Sequence, residues 1–262
     1  MATYLDRILE AHRAAAAADP RSLDDLVASA RALTATRGFA AALERDATEG
    51  LAVIAEVKRR SPSKGDLAAD LDPATVAAEY VAGGATCLSV LTDADWFAGS
   101  PEDLRAARAA VAVPVLRKDF TVDPRDVADA RLMGADAVLL IVAALDDREL
   151  ADLHALGTDL GLDVLVEVHD EAELERALAV GATLIGVNQR DLVTFEVDTD
   201  RAVRVGAAMP DGIIRVAESG VRGPEDAARL AAAGFHAVLV GESVVTSGDR
   251  RAAVAALRAA AA

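Results

Sequence analysis

The chain has 262 residues, of which 53% are hydrophobic, and this length suits one large domain or two small ones. A net charge of −16 at pH 7 argues against a protein that binds nucleic acid or an anionic membrane. No apolar run reaches the ~18 residues of a membrane span and the N-terminus has no secretory signal, so we expect a cytoplasmic protein.

The N-terminal segment is predicted to form two amphipathic helices, Thr3–Ala18 and Ser22–Leu33. Ser22 is a candidate N-cap of the second helix, with Asp25 at the capping-box distance. We expect residues 1–48 to be a helical extension that packs on a catalytic domain formed by residues 49–262.

From about residue 50 onward, a β-rich run, a polar loop and an amphipathic stretch alternate along the chain. The strand-like runs are Leu51–Val57, Thr86–Leu91, Val115–Lys118, Ala137–Ile141, Val164–Val168, Leu184–Val187, Ile213–Ala217 and Ala237–Val240. The helical stretches are Pro73–Ala82, Pro101–Ala110, Pro124–Met133, Asp146–Leu160, Glu171–Val180, Thr199–Ala208, Pro224–Ala233 and Gly248–Ala261. Eight such units predict an α/β protein of the (β/α)8 TIM-barrel class, with the N-terminal helical extension added. An open doubly wound sheet is the alternative, but no Gly-rich fingerprint follows the first strand.

Lysine is rare in this chain, because only Lys58, Lys64 and Lys118 occur among its 27 basic residues. Lys58 and Lys118 each end a strand-like run. A lysine ammonium, unlike a guanidinium, can have its pKa lowered toward neutrality by burial and can donate a proton in catalysis. Chance survival of three lysines is the alternative interpretation.

Ionisable and amide side chains end several of the predicted strands, where a TIM barrel places its catalytic groups. Glu56 and Lys58 are two residues apart, so both are expected to point into the barrel. The predicted strand-end groups are Glu56, Lys58, Lys118, Glu167, Asn188, Arg190 and Glu218. A structural ion-pair network is the alternative, but a cluster of this size at a barrel mouth favours a functional site.

Small residues follow the last two strands, where this fold usually binds phosphate. Ser219-Gly220 and Gly241-Glu242 can offer backbone N–H groups to an anion, and we expect the Glu242 side chain to turn away from it. The long loop Arg59–Asp72, which carries Lys64, is a candidate lid.

Three aromatic residues, Trp96, Phe97 and Phe120, follow the second and third strands and could form an apolar surface for an aromatic substrate. Ordinary packing beneath the loops is the alternative. Tyr4, in the extension, suggests no site.

The four histidines, His12, His154, His169 and His236, have no metal-ligand spacing, so no metal is predicted. We expect His169 to point away from the barrel axis. The single cysteine, Cys87, is predicted to be a buried hydrophobe within a strand.

Eight ordered motifs together resemble the indole-3-glycerol phosphate synthase family. They are Ile54–Gly65, Leu88–Asp93, Leu116–Phe120, Val138–Val142, Leu165–His169, Ile185–Leu192, Val216–Val221 and Val240–Ser243. The resemblance implies a lyase of tryptophan biosynthesis that needs no cofactor. It also implies ring closure, decarboxylation and dehydration of 1-(2-carboxyphenylamino)-1-deoxyribulose 5-phosphate.

The resemblance also implies roles for the residues at the strand ends. Lys118 is the family's candidate acid at the ketone oxygen, while Glu167, Lys58 and Glu56 are available for dehydration and Asn188 can hold a hydroxyl. For substrate binding, the implied residues are Ser61, Phe97, Phe120, Arg190 and Glu218. For the phosphate, they are Lys58, Ser219, Gly220, Gly241 and Glu242.

Two other functions stay open at this point. A sugar-phosphate isomerase resembling phosphoribosylanthranilate isomerase is disfavoured, because it typically uses a Cys/Asp pair and Cys87 is within a strand. An inactive phosphometabolite-binding barrel should have gaps among its ionisable groups, and the strand ends have none. We expect a monomer whose partner is a small phosphorylated aromatic substrate.

Overall fold

The computed structural model describes residues 3–191 and 193–260 of the chain. Within them, eight parallel strands close into a barrel: Ala52–Val57, Cys87–Leu91, Val115–Lys118, Ala137–Ile141, Asp163–Val168, Leu184–Asn188, Ile214–Glu218 and Ala237–Val240. Each strand pairs with its neighbours in the chain, and the eighth closes onto the first with Ala55 opposite Val240. Apolar side chains on both faces of the strands make this closure favourable, since the helices cover the outside. The predicted TIM barrel is confirmed.

Helices follow the strands in the order that the sequence predicts. The longer ones are Pro73–Ala82, Pro101–Ala110, Pro124–Met133, Asp147–Asp159, Glu171–Ala179, Arg201–Ala207, Pro224–Ala232 and Arg250–Ala259. Two short helices, Ala94–Phe97 and Glu242–Val245, and a 3-10 turn at Val142–Ala144 occupy loops. Four of the longer helices begin with proline, whose missing N–H is not needed in a first turn. Among the described residues, no helix has both the length and the apolar character needed to traverse a bilayer.

The ends of three predicted segments need comment. The predicted last helix reaches Ala261 and the sixth motif ends at Leu192, and both residues lie outside those that the structure describes. The seventh strand is shifted by one residue, from the predicted Ile213–Ala217 to Ile214–Glu218.

The N-terminal extension contains three helices rather than the two predicted from sequence: α1 (Tyr4–Ala18), α2 (Leu23–Arg31) and α3 (Phe39–Ala47). Thr3 caps α1 in a reciprocal capping box, whereas Gly38, which has a φ of 71°, begins α3 without a side-chain cap. Because α3 lacks the usual Ser, Thr or Asp start signal, the sequence pattern did not reveal it.

The extension contacts both ends of the barrel. At the amino-terminal ends of the strands, the Ala40 N–H of α3 donates to Asp163 Oδ2 at 3.0 Å, and Phe39 is fully buried. Helix α2 packs on the helix Pro124–Met133. Helix α1 reaches the opposite end, where Tyr4, Leu5 and Ile8 lie at the cavity described below. The division into residues 1–48 and 49–262 stays a prediction.

Residues 59–72, the candidate lid, contain a short antiparallel pair in which Arg60–Ser61 faces Gly65–Asp66. The Leu67 N–H donates to the Arg59 carbonyl at 2.7 Å, and the Arg59 guanidinium pairs with Asp103. The segment is therefore tied to the barrel at its base, with Lys64 at its tip.

A fully buried carboxylate, Asp136, joins the extension to the amino-terminal end of the barrel. It accepts hydrogen bonds from the Arg37 N–H at 2.9 Å, the Val115 N–H at 2.9 Å and Arg108 Nη2 at 3.1 Å. Removing this acceptor leaves a partly buried guanidinium, the buried Val115 N–H and the partly buried Arg37 N–H without this partner.

We expect Asp136→Ala to lower the free energy of unfolding by about 3–5 kcal/mol, as is typical when one partner of a buried ion pair is removed. Denaturant unfolding monitored by circular dichroism measures the change. Asp152→Ala is the matched control, because Asp152 pairs with Arg148 on the surface and both side chains are largely exposed. It should change the free energy by less than about 0.5 kcal/mol. Equal losses in the two variants would contradict the structural role given to Asp136.

Candidate active site

A cavity of about 810 Å³ opens at the carboxyl-terminal ends of the barrel strands. This volume is in the range of small-molecule sites. Leu139 and Leu239 contribute apolar surface to its lining, and polar side chains from the strand ends and loops surround them. All the site residues predicted from sequence line this cavity: Glu56, Lys58, Ser61, Phe97, Lys118, Phe120, Glu167, Asn188, Arg190, Glu218, Ser219, Gly220, Gly241 and Glu242. Their chemical roles stay predictions.

Glu56 and Lys58 point into the barrel from the first strand, as their spacing predicts. The Lys58 ammonium pairs with Glu56 Oε1, and Ser89 Oγ donates to Glu56 Oε2 at 3.3 Å. Gly241, after the eighth strand, passes so close that a Cβ there would lie 2.5 Å from Glu56 Oε1 and 2.9 Å from Lys58 Nζ. Glycine at this position therefore leaves room for the ion pair.

Lys118 Nζ lies between two carboxylates, 3.2 Å from Glu167 Oε2 and 3.6 Å from Glu218 Oε2. Both carboxylates are almost fully buried, and Lys118 retains 16% side-chain exposure toward the cavity. Asn188 Nδ2 donates to Glu167 Oε1 at 2.9 Å, so both oxygens of Glu167 are engaged. The ammonium is thus fixed where a ligand in the cavity can reach it.

The charges of this cluster are strongly interdependent. Burial tends to lower the pKa of Lys118, but the charges of Glu167, Glu218 and Glu56 outweigh it and raise the pKa above its usual value. The pKa of Lys118 is therefore not lowered toward neutrality, as burial alone would lower it. Lys118 is an ammonium here, the form that can donate a proton.

The two buried carboxyl groups have opposite shifts. Burial tends to raise the pKa of Glu167, but Lys118, followed by His169 and the Asn188 amide, outweighs it and holds the pKa below its usual value. Burial, followed by the charge of Glu167, raises the pKa of Glu218 well above its usual value. The site therefore holds Glu167 as an ionised base beside a protonated amine, while Glu218 binds a proton more readily than an ordinary carboxyl group.

Asn188 also organises the start of the sixth loop. Its Oδ1 accepts from the Arg190 N–H at 3.0 Å, and Arg190 Nη1 donates to the Phe195 carbonyl at 3.1 Å. The Arg190 guanidinium thus holds the loop and lines the cavity at once.

The seventh loop begins with a left-handed backbone turn, and the eighth loop leads directly into a short helix. Ser219 and Gly220 both have positive φ angles, 63° and 73°, a conformation that is costly for serine. Glu242 begins the short helix after Gly241, and its carboxylate lies 3.8 Å from Lys64 Nζ at the tip of the lid segment. Lys64 therefore approaches the rim of the eighth loop.

The aromatic residues behave differently from one another. The rings of Phe97 and Phe120 line the cavity with centroids 6.3 Å apart, tilted by 38°. Trp96, by contrast, packs edge-on against Tyr4 at 5.1 Å, and Tyr4 lines the cavity together with Phe195. The expectation that Tyr4 has no place in a site is wrong, because α1 carries it across the mouth.

His12 of α1 fastens the extension beside the mouth. Its Nε2 lies 2.9 Å from Asp93 Oδ2 and 3.9 Å from Asp119 Oδ1, a grouping that could supply three ligands to a metal ion. Sequence spacing did not foresee the grouping, since α1 is distant in the chain. Both carboxylates already serve other groups: Asp93 caps the helix Ala94–Phe97, and Asp119 pairs with Arg117.

His169 does not point away from the barrel axis, as we had expected from sequence. Its Nε2 lies 3.6 Å from Glu167 Oε1, and its Nδ1 lies 3.0 Å from Glu173 Oε2. The alternation of side chains along a strand could have placed His169 on the face of Glu167, two residues earlier.

We expect Gly241→Ala to lower kcat/KM by roughly ten- to a hundred-fold while the thermal midpoint changes little. The added methyl group meets only the ends of the Glu56 and Lys58 side chains, which can move without unfolding the barrel. Gly248→Ala is the control, since a Cβ at that exposed glycine meets no atom within 4 Å. Steady-state kinetics and a thermal melt on both variants test this, and unchanged kinetics in Gly241→Ala would contradict the close approach.

The chain is similar to known proteins over nearly its whole length. The family model described as indole-3-glycerol phosphate synthase matches residues 5–257. Proteins of that name from Mycolicibacterium vanbaalenii and Mycobacterium avium are each 52% identical over 258 residues, covering 98% of this chain and 94% of the relative. The protein of that name from Mycobacteroides abscessus is 51% identical over 97% of this chain and 93% of its own.

Solved structures with low sequence identity share the fold. The tryptophan synthase α subunit of Legionella pneumophila superposes with a TM-score of 0.64 at 14% identity, over 87% of this chain and 98% of its own. A thiamine phosphate pyrophosphorylase from Pyrococcus furiosus has a TM-score of 0.62 at 17% identity, over 80% and 95%. At such identities the likeness concerns the barrel alone.

Proposed function

The chain belongs to the indole-3-glycerol phosphate synthase family, and from this premise we propose how its own residues carry out that reaction. The substrate is 1-(2-carboxyphenylamino)-1-deoxyribulose 5-phosphate, and the products are indole-3-glycerol phosphate, CO2 and water. The single observation that carries the proposal is the Lys118 ammonium, held between Glu167 and Glu218 and facing the cavity.

In the first step, the ring carbon that bears the carboxylate attacks the ketone carbon and a carbon–carbon bond forms. The electron pair of the C=O bond moves to oxygen, and Lys118 donates a proton there. The raised pKa of Lys118 is compatible with this role, because it keeps the amine protonated and a developing alkoxide is a stronger base than any amine.

In the next step, the bond to the carboxylate breaks, CO2 leaves, and the electron pair returns to the ring system. Phe97 and Phe120 line the cavity and would give the ring an apolar surrounding, which suits this loss of charge because it favours neutral CO2 over a carboxylate. Arg190 and Ser61, which both line the cavity, would orient the carboxylate before it leaves.

Dehydration completes the reaction. The hydroxyl made from the ketone leaves as water with a proton from an acid, and a base removes a proton from the neighbouring methylene carbon. We assign the base to Glu167, whose lowered pKa keeps it ionised at neutral pH. Lys58, with Glu56 beside it, is the candidate acid, and Asn188 holds a hydroxyl.

The phosphate is assigned to the turns after the seventh and eighth strands. Ser219 and Gly220 in one turn and Gly241 and Glu242 in the other would supply N–H groups, as loops at these places in the fold commonly do. Lys58 would supply positive charge from the first strand. The Glu242 carboxylate lies 3.8 Å from Lys64 Nζ, and it would take no direct part in binding the phosphate.

Turnover of the carboxyphenylamino substrate, followed by indole fluorescence, tests the proposed function. We expect product to form without an added cofactor. Phosphoribosylanthranilate is the comparison substrate, and turnover of it alone would overturn the proposal in favour of an isomerase. Calorimetric binding of the carboxyphenylamino substrate without turnover would favour an inactive binding protein instead.

We also propose that the protein acts as a monomer in the cytoplasm and binds no nucleic acid. Within the described residues, the large exposed hydrophobic side chains are Leu33, Val193 and Val197, too few for an extended apolar interface. The thiol of Cys87 is buried and suits a reducing compartment. Sedimentation should give a mass near 27.0 kDa, and a mass of twice that value would contradict the monomer.

A further inference from the structure

His169, which has no role in the steps described so far, lies beside Glu167, the proposed base. Each of its two ring nitrogens faces a carboxylate. The ring is placed by Glu173, whose Oε2 accepts from the His169 N–H at 2.8 Å and lies 3.0 Å from Nδ1. Glu173 is itself fixed in the first turn of the helix Glu171–Ala179, since its own N–H donates to the cap residue Asp170 at 2.8 Å. The imidazole therefore has a rigid support on one side.

The other ring nitrogen faces Glu167. His169 Nε2 lies 3.6 Å from Glu167 Oε1, is buried, and takes part in no hydrogen bond among the described residues. Because Nδ1 needs its proton to donate to Glu173, a neutral ring would direct the Nε2 lone pair at a carboxylate. Only the imidazolium places an N–H on both sides.

We propose that His169 is a positioning residue of the active site, an imidazolium held by Glu173 that keeps Glu167 ionised and oriented as the base. This inference rests on the proposed function for its catalytic consequence, while the charge of His169 can be measured without turnover. His169 does not touch the reacting atoms, since Glu167 lies between it and Lys118.

The charged groups around His169 favour its protonated form. Burial tends to lower the pKa of His169, but Glu173 and Glu167 outweigh it and raise the pKa above its usual value. Arg201, at the start of the helix Arg201–Ala207, opposes them more weakly. In return, the imidazolium helps to lower the pKa of Glu167, after the larger effect of Lys118.

The pH dependence of catalysis follows from this coupling. Activity requires Glu167 without its proton, and because the pKa of Glu167 is held at about 2, its protonation shapes the acidic limb of the kcat/KM profile only at strongly acidic pH. Loss of the His169 charge raises that pKa, and the limb moves to higher pH. We expect His169→Gln to shift the limb upward by about one pH unit and Glu173→Gln to shift it less, in the same direction.

Two measurements test the proposal, with His154→Gln as the matched control on an outer helix. Long-range proton–nitrogen NMR of the wild type should show both His169 ring nitrogens protonated at pH 7, and Glu167→Gln should lower the pKa of that ring. A ring with one proton at pH 7, or a Glu167→Gln variant in which the pKa of the ring is unchanged, would overturn the proposal.

The NMR titration and the kinetics also distinguish a failure of the His169 proposal from a failure of the proposed function. If His169→Gln does not fold, the NMR titration of the wild type decides the matter alone. If the wild type binds its substrate but makes no product, while His169 is doubly protonated and coupled to Glu167, the proposed function fails and the ion pair stands.

Discussion

Replacing Lys118 with alanine is expected to lower kcat by roughly 10³-fold, within the usual contribution of a positioned general acid, and to leave the barrel folded. The variant loses the proton donor and also the cation that holds Glu167 and Glu218 together. The pKa of Glu167 should rise in consequence, which weakens the proposed base as well. Stopped-flow indole fluorescence with saturating substrate measures the rate.

Lys118→Arg separates charge from proton transfer. A guanidinium keeps the positive charge beside the two carboxylates, but its planar, bulkier head presents its N–H groups in different positions from those of the ammonium. We expect this variant to fold and to bind substrate, yet to be nearly as slow as Lys118→Ala. A rate within tenfold of the wild type in either variant would exclude Lys118 as the acid.

Replacing Glu167 with glutamine is the second large effect that we expect, with kcat lowered by roughly 10²–10³-fold. Glutamine has nearly the same shape and can still accept from Asn188 through its amide oxygen, so the fold should persist. What it lacks is the capacity to take a proton from the methylene carbon. Glu175→Gln, on the exposed face of the helix that follows, is the matched control and should behave as the wild type.

The Glu167→Gln variant also tests the order of the steps. If Glu167 acts only in dehydration, a single turnover should still release CO2 while the indole signal appears slowly. Simultaneous loss of CO2 release and indole formation would contradict the assignment of Glu167 to the last step. The two signals can be recorded on one sample with a carboxyl-labelled substrate.

The barrel and its strand-end residues could be predicted because both depend on short-range patterns. The continuous apolar runs identify the strands, and the two-residue spacing of Glu56 and Lys58 places both side chains inside. Because parallel strands bring their carboxyl ends together, Lys118 and Glu167 could be expected near each other although 49 residues separate them.

The parts that could not be predicted depend on contacts between distant segments. Nothing in the local pattern of α1 indicates that Tyr4 reaches the cavity mouth or that His12 meets Asp93. Helix α3 has no polar cap at Gly38 and was missed for that reason. Side-chain alternation could have placed His169 on the face of Glu167, but its contact with Glu173 in the next helix could not be foreseen.

The pKa shifts of the buried groups in the site also could not be predicted from the sequence. Burial and neighbouring carboxylates act on the pKa of Lys118 in opposite directions, and only their distances decide which effect is larger. With carboxylate oxygens 3.2 Å and 3.6 Å away, the neighbours outweigh burial. The same geometry shifts the pKa values of Glu167 and Glu218 in opposite directions, a difference that the sequence alone does not reveal.

A crystal structure with a substrate analogue that carries a hydroxyl in place of the ketone tests the account most directly. We predict that Lys118 Nζ lies within about 3.2 Å of that hydroxyl oxygen, with the phosphate against the turns at Ser219-Gly220 and Gly241-Glu242. A hydroxyl oxygen out of reach of Lys118, or a phosphate bound elsewhere on the molecule, would contradict it.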